Sequence, residues 1–275
     1  MSDLGNQRWR EHRESYRPAG EPIDTRRYGV EVVDRASAKS FVEAHHYSRS
    51  FPAARLSVGL FRSRGAFWAP ELVGVAVFSV GVQPKAIGRW LGTSPEEGIE
   101  LGRFVLRDDV EANGETWFLR RAFAELRDTL QEVRAVLAYS DPMRRTAVDG
   151  SVVLPGHVGT IYQAHNGRYV GRASSRKIWL DREGRVVNDR SLSKIRNDER
   201  NAANAALHFV AAGAPPRRAG EDPAAWVERA LAEGPFRAVR HPGNHTYVWP
   251  VDGRRDTTRG LAAPCPRPKS VDATP

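Results

Sequence analysis

The stretch from Ile99 to Asp141 constrains the fold most. "IELGRFVLR" has the short apolar run of a strand, and "ETWFLRRAFAELRDTLQEV" repeats apolar residues at helical spacing, through Phe118, Ala122, Leu126 and Leu130. "RAVLAYSD" then reads as a buried strand closed by Asp141 and Pro142. Strand, long helix, strand in one sheet calls for a right-handed crossover between parallel neighbours. Upstream, "YGVEVVD" alternates like a strand, and Asp34 can cap a helix "RASAKSFVEAHH" whose Ala38, Phe41 and Val42 share a face. "ARLSVGLFR" and "ELVGVAVFSV" read as a hairpin turning in "SRGAFWAP", and "VQPKAIGRWLGTSPEEG" as a loop. The fold class is therefore α/β, with a mixed central sheet flanked by helices and a C-terminal helix-hairpin extension.

Residues 1–27 read as a polar N-terminal arm, 28–176 as the core, 177–251 as the extension and 252–275 as a disordered tail. In the extension, "KIWLDREGRVVND" predicts a hairpin around Gly184 and "SLSKIRNDERNAANAALHFVAAG" a second long helix. "PAAWVERALAEG" predicts a helix opened by Pro223, and "PFRAVRHPGNHTYVWPV" a final hairpin turning at Pro242–Asn244. The formal net charge of +9 favours a polyanionic partner, nucleic acid first. The single cysteine, Cys265, lies between prolines near the end, so an internal disulfide and a cysteine zinc cluster are both excluded. No apolar run approaches the roughly 18 residues of a membrane span, and the first residues lack an apolar signal core. The expectation is a cytoplasmic protein with no membrane partner. Neither a G-x-G-x-x-G turn behind a strand nor a Walker lysine loop is present.

The residues richest in chemistry lie in "HVGTIYQAHNGRYVG", His157 to Gly171. Gly159 to Ala164 reads as a short helix, ended by Asn166–Gly167, residue types that tolerate a left-handed C-cap. Tyr162 in so short a helix, after a strand ending "YSDP", projects towards the splayed end of the sheet, where two adjacent strands are expected to part near Leu106 and Ser140. A phenol there can pass a proton to a leaving thiolate. The alternative is a half-buried aromatic with a satisfied hydroxyl.

Taken together, this order of elements resembles the GNAT acyltransferase fold. "HHYS", "ELGRFVL", "YSDP" and "GTIYQAHNGRYVG" are similar, more narrowly, to the phage Mom family, over roughly 30–174. That resemblance implies an acyltransferase that modifies the N6 amine of adenine in bacteriophage DNA with an acetyl-derived (methylcarbamoyl or acetamido) group, an anti-restriction activity. It implies acetyl-CoA as donor, lying beside the strand at Val105 and Leu106. The pyrophosphate would rest on the next helix start, at Asn113, Gly114 and Thr116, where free N–H groups and the helix dipole favour anions. The family loop expects two small residues where this chain keeps one glycine, and an ordinary capped helix start is the alternative.

Arg103 lies between Leu101 and Val105, which puts it opposite them or beside a bulge. A buried arginine needs a partner, and Asp141 at the end of the neighbouring strand is the natural one, for catalysis or as a structural ion pair. His46 and Tyr47 match the family's His–Tyr pair. The resemblance adds iron, with His46, Asp141 and Tyr162 as ligands; the alternative is that the histidines only close a helix. The adenine amine is a poor nucleophile, so His46, Tyr47, Arg103, Asp141 and Tyr162 are the catalytic candidates. An adenine in duplex DNA must be flipped out, and Tyr47, Phe67, Trp68 and Trp90 are candidates to stack on it. "FRSRG", "GRASSRK", "SLSKIRNDER" and "RHPGNHTY" offer cations to phosphate or simply to solvent. Two other readings stay open: an N-acetyltransferase acting on a hypermodified pyrimidine, small amine or protein, and a non-catalytic DNA-binding module.

Overall fold

The computed structural model describes residues 6–7, 16–17, 21–81, 84–251 and 264–266. The chain forms two compact units, one of Met1–Pro142, His157–Ala173 and Asn244–Pro275, the other of Met143–Gly156 and Ser174–Gly243. Most of the expected polar arm and of the expected tail lies outside the described residues; within the arm, β1 (Asn6–Gln7) pairs antiparallel with β2 (Tyr16–Arg17). Among the described residues no helix is long and apolar enough to cross a membrane.

The first unit is built on β3 (Tyr28–Val32), β4 (Ala54–Arg62), β5 (Glu71–Ser79), β6 (Gly98–Leu106), β7 (Ala135–Ser140), β10 (Arg168–Arg172) and β14 (His245–Pro250). They form one sheet in the order β10-β14-β7-β6-β5-β4-β3. Every pair is antiparallel except β6 with β7, the parallel crossover expected from the sequence. Helix α1 (Arg35–His45) starts where the Asp34 carboxylate accepts from the Ala36 and Ser37 amides. Its Ala38, Phe41 and Val42 pack with Val75, Val77 and Val105 on one face of the sheet. Helix α3 (Gly114–Thr129) lays Phe118, Leu119, Ala122 and Leu126 on the other, against Val58, Leu60, Ala76, Phe78 and Val136. The alternation of Val75 and Val77 with Ala76 and Phe78 follows from the two-residue period of a strand covered on both sides.

"VQPKAIGRWLG" departs from the expected loop: α2 spans Pro84–Leu91. Ile87 is fully buried beside Ala135, Leu137 and Val248, with Trp90 and Leu91 packed alongside, a helical spacing that the flanking glycines and prolines obscure. The expected final hairpin is not one. β13 (Arg237–His241) pairs with β11 (Arg176–Leu180) in the second unit, whereas β14 lies between β7 and β10 in the first. The reason is burial: His245–Trp249 is buried along its whole length, as a central strand must be, and β13 is largely exposed.

The second unit also holds β8 (Arg145–Thr146) paired with β9 (Val152–Leu154), and β12 (Val186–Val187) paired with β11 around Gly184 as expected. The long basic helix is two, α5 (Asp189–Arg196) and α6 (Ala202–Ala211). Asp198 and Asn201 between them have φ of 46° and 70°, the left-handed region that Asp and Asn visit at least cost and that ends a helix. With α7 (Pro223–Glu233), capped by Asp222, they enclose Leu192, Ile195, Phe209, Trp226 and Leu231.

Back in the first unit, α4 (Thr160–Ala164) begins after Gly159, whose φ is +80°. A methyl there would lie 2.6 Å from Tyr247 Cε2 and 3.0 Å from both Ser140 Oγ and Tyr162 Cδ2. Gly159→Ala is expected to cost about 1–3 kcal/mol from strain and overpacking. Gly29→Ala in β3, where nothing lies within 4 Å of the added methyl, should be close to neutral. Thermal melts of the two variants check this; equal midpoints would contradict it.

Candidate active site

β6 and β7 pair only at Gly98–Ala135, Ile99–Val136 and Glu100–Leu137. Both strands continue, β6 to Leu106 and β7 to Ser140, and each stays zipped to its outer neighbour, Leu106 to Gly74 and Ser140 to His245. The sheet therefore forks beyond Glu100. On the fork side, the β6 backbone from Leu101 to Leu106 has no strand partner among the described residues. The Arg107 amide donates to the Val73 carbonyl at 2.8 Å, so by the two-residue alternation the backbone groups of Leu106 face the open edge and those of Val105 face β5.

A β-bulge sits at the branch. Val77 pairs with Arg103 and Phe78 with Leu101, leaving Gly102 as the extra residue. The bulge reverses the alternation of β6: Ile99 and Leu101 join the α3 core, while Val105 joins the α1 face. Arg103 is thereby set on the α1 face, the second of the two positions its spacing allowed. A methyl on Gly102 would meet Ser79 Oγ at 2.5 Å, so a larger residue at the bulge would have to displace that hydroxyl. Arg103 donates from Nε to the Ser50 carbonyl at 2.8 Å, from a terminal nitrogen to Ser50 Oγ at 2.7 Å, and to the Gly102 carbonyl. These are its partners in place of the expected Asp141. The divergence of the strands explains the difference, because Asp141 follows the end of the strand that turns away. Burial draws the guanidinium below its usual range, opposed by nearby Tyr47, Glu100 and Tyr162.

Tyr162 is buried, its ring 5.5 Å from that of Tyr247 and edge-on to Trp249 at 5.7 Å. Tyr247 donates to the Val158 carbonyl and accepts from Gln163 at 2.8 Å, which fixes the turn into α4. Asn166 adopts φ 59° and the Gly167 amide donates to the Tyr162 carbonyl at 2.7 Å, the expected C-cap. Burial pushes the Tyr162 phenol well above its ordinary range; Tyr47 and Glu100 add to the rise and Arg103 opposes it. The Tyr162 ring belongs to the α3-side core, yet its hydroxyl senses groups from the α1 face. The fork is the gap through which the two meet. Ser140 Oγ, fully buried beside Gly159, has no hydrogen-bond partner among the described residues.

His46 closes α1, and its Nδ1 accepts from the Ser48 amide at 3.1 Å. Burial, with Arg103 and His157, drives its pKa well below the usual histidine value. A neutral His46 with an accepting Nδ1 carries its proton on Nε2. Its ring lies 4.1 Å from that of Tyr47, which meets the His157 ring edge-on at 6.4 Å. The His157 amide donates to the Asp141 carbonyl at 2.8 Å. Burial lowers the His157 pKa to about 4, against the opposing pull of Asp141. His46, Tyr47, Arg103 and Tyr162 thus gather around the fork, and Asp141 reaches the group through His157. The sequence reading missed His157 and Glu100. The signal for Glu100 was an acidic residue between the apolar Ile99 and Leu101; for His157 it was position, two residues before Gly159.

The expected helix-start residues lie at the beginning of α3. Asn113 is the N-cap of α3, with φ 63° and no side-chain cap bond. Thr116 does not cap; its hydroxyl donates back to the Asn113 carbonyl at 3.2 Å. Gly114 is buried. The left-handed Asn113 thus turns the backbone at the start of a 16-residue helix, a geometry able to take an anion. Iron fits less well. Among the described residues no group of three His, Cys, Asp or Glu side chains could hold a metal ion. Of the implied ligands, His46 has its Nδ1 engaged, and the Tyr162 phenolate is disfavoured by burial. Of the stacking candidates, Tyr47 is in the site, Trp90 packs into the core under α2, and Phe67 and Trp68 stand exposed at the β4–β5 turn.

A family model described as the Mom protein family matches residues 27–220. Among solved structures, one titled "Tandem GNAT protein from the clavulanic acid biosynthesis pathway (without AcCoA)" is similar, with a TM-score of 0.40 and 9% sequence identity over 82% of this chain and 98% of that one. A search of curated proteins finds no match.

The histidine by Asp141 carries a pH signature. Its folded pKa, about 4, lies below the unfolded value of 6.5, so its contribution to stability is complete above pH 6.5 and is lost as pH falls towards 4. Denaturant unfolding across that window should show a shallower loss for His157→Asn than for the parent. Parallel curves would contradict the placement of His157.

Proposed function

This chain belongs to the Mom protein family, and from that premise we propose that it transfers the acetyl group of acetyl-CoA to the N6 amine of adenine in DNA, giving an acetamido-type base. The observation that carries the reading is the fork: an open strand edge, beside a helix start, with Tyr162, Arg103, Tyr47 and His157 grouped at its branch. Acetyl-CoA, when bound, supplies an activated thioester carbonyl. On the open edge the Leu106 backbone offers its N–H and C=O groups to an amide-bearing pantetheine arm, and Val105, whose own backbone groups are directed to β5, flanks it. The first-turn amides beyond Gly114 offer the positive end of α3 to the pyrophosphate, while the Gly114 amide and the Thr116 hydroxyl hold the turn itself through the Glu111 and Asn113 carbonyls.

Two proton transfers accompany the exchange of a C–S bond for an N–C bond. The amine must lose a proton, and the departing sulfur must gain one. Tyr162 suits the second role, because burial holds its proton well into alkaline pH. His157 suits the first: burial keeps the imidazole neutral in neutral water, and Asp141 stands ready to stabilise the imidazolium that forms. Arg103, clamped by Ser50 and Gly102, faces the developing negative charge. The clamp leaves its position independent of Asp141. Tyr47, between His46 and His157, forms the aromatic wall on which an extruded adenine can stack.

Nucleoside mass spectrometry of DNA from cells expressing the chain tests the reading. The parent should give a modified deoxyadenosine. Tyr162→Phe and Asp141→Ala should each reduce it by about 10²-fold or more, the usual worth of a positioned acid or base, with thermal melts showing folded proteins. Undiminished product from both variants, or an acylated pyrimidine instead, would reject it.

A further inference from the structure

We propose that the tip of the β4–β5 hairpin is a wedge that enters the DNA base stack where the target adenine leaves it. This rests on the reading of duplex DNA as substrate, and it adds a second contact, apart from the fork. Residues 63–70 are all exposed. At their centre Phe67 is 97% and Trp68 67% exposed, two adjacent large aromatics standing in solvent. Such a pair is costly to leave in water, and marks a surface that something covers.

The tip is shaped. Gly65 has φ +103°, its amide donates to Ser63 Oγ at 3.3 Å, and the Trp68 amide donates to the Gly65 carbonyl at 3.3 Å. Its root is fixed as well. Arg62 bonds Glu71 at 3.0 Å and Asp109 at 2.8 Å, and Arg107 bonds Asp109 at 2.8 Å and also Glu71. This network ties the hairpin to the residues that follow β6, the strand that lines the fork. Gly74 is level with Leu106 in the register, and β4 runs parallel to β6, so the tip extends past the same end of the sheet at which the fork opens. Six residues separate Gly74 from Trp68, which at about 3.3 Å each is no more than about 20 Å, within one turn of duplex.

Charge selects the occupant. "FRSRGAFWAP" holds no acid; Arg62 at its root is held by Glu71 and Asp109, and at the tip the Arg64 guanidinium lies over the Trp68 ring at 5.6 Å. A second copy of a chain with net charge +9 would be repelled, whereas a polyanion with stacked aromatic faces meets both features. Extruding a base leaves a gap between its neighbours, and an apolar side chain inserted there stabilises the opened duplex.

The test uses the full chain with Phe67→Ala, Trp68→Ala and the double variant. Modified adenine is quantified on a duplex with a paired target adenine and on the same duplex with an abasic site opposite it, where extrusion is already eased. The double variant should lose about tenfold or more on the paired duplex and less than about twofold on the abasic one. In parallel, 2-aminopurine at the target position reports extrusion without chemistry: its fluorescence should rise with the parent and fail to rise with the double variant. Equal losses on both duplexes with an undiminished 2-aminopurine signal would overturn the wedge. So would a double variant that loses only self-association or binding to anionic vesicles. If the parent modifies neither duplex, the adenine reading fails, and the 2-aminopurine arm still decides the wedge.

Discussion

Three residue pairs, Gly98 with Ala135, Ile99 with Val136 and Glu100 with Leu137, make the one parallel contact among the strands of the large sheet. Everything at the site depends on that contact being so short. The α3 crossover requires β6 and β7 to be parallel neighbours, and outer strands hold each of them to its end. A sheet free to close would satisfy its backbone groups along the whole pair. Here the β6 edge from Leu101 to Leu106 is left for something other than a strand. The Gly102 bulge stands at the branch and turns Arg103 onto the α1 face.

The fork also explains the electrostatics. Tyr162 belongs by packing to the core under α3, and His46, Tyr47 and Arg103 belong to the α1 side. In a closed sheet these would be separated by a layer of backbone. Burial then works in opposite directions on two kinds of group: it holds the phenol protonated and the imidazoles neutral. That division leaves a group able to donate a proton and groups able to accept one in the same pH range.

Much of this was legible in the sequence. The strand–helix–strand order, the cap at Asp34, the αL turn at Asn166 and the position of Tyr162 all follow from local residue preferences, and local preferences survived folding. What the sequence hid was decided by partners distant in the chain. β14 reads as half of a hairpin with β13, but its uninterrupted burial carries it between β7 and β10. The α2 helix shows its apolar face only once Ala135 and Leu137 are there to receive it. Arg103 and Asp141 looked like partners because the strands were expected to part only near Leu106 and Ser140, whereas they part already beyond Glu100 and Leu137. His157 carried no motif of its own; proximity to Asp141 and Tyr47 is what marks it.

Hydrogen exchange of the intact protein with and without acetyl-CoA tests the fork most directly. The account predicts that acetyl-CoA slows exchange at the amides of residues 102–106 and at the start of α3, residues 113–116, and leaves the outer pairing of β3 with β4 unchanged. Saturating acetyl-CoA that leaves 102–106 exchanging as before would contradict it.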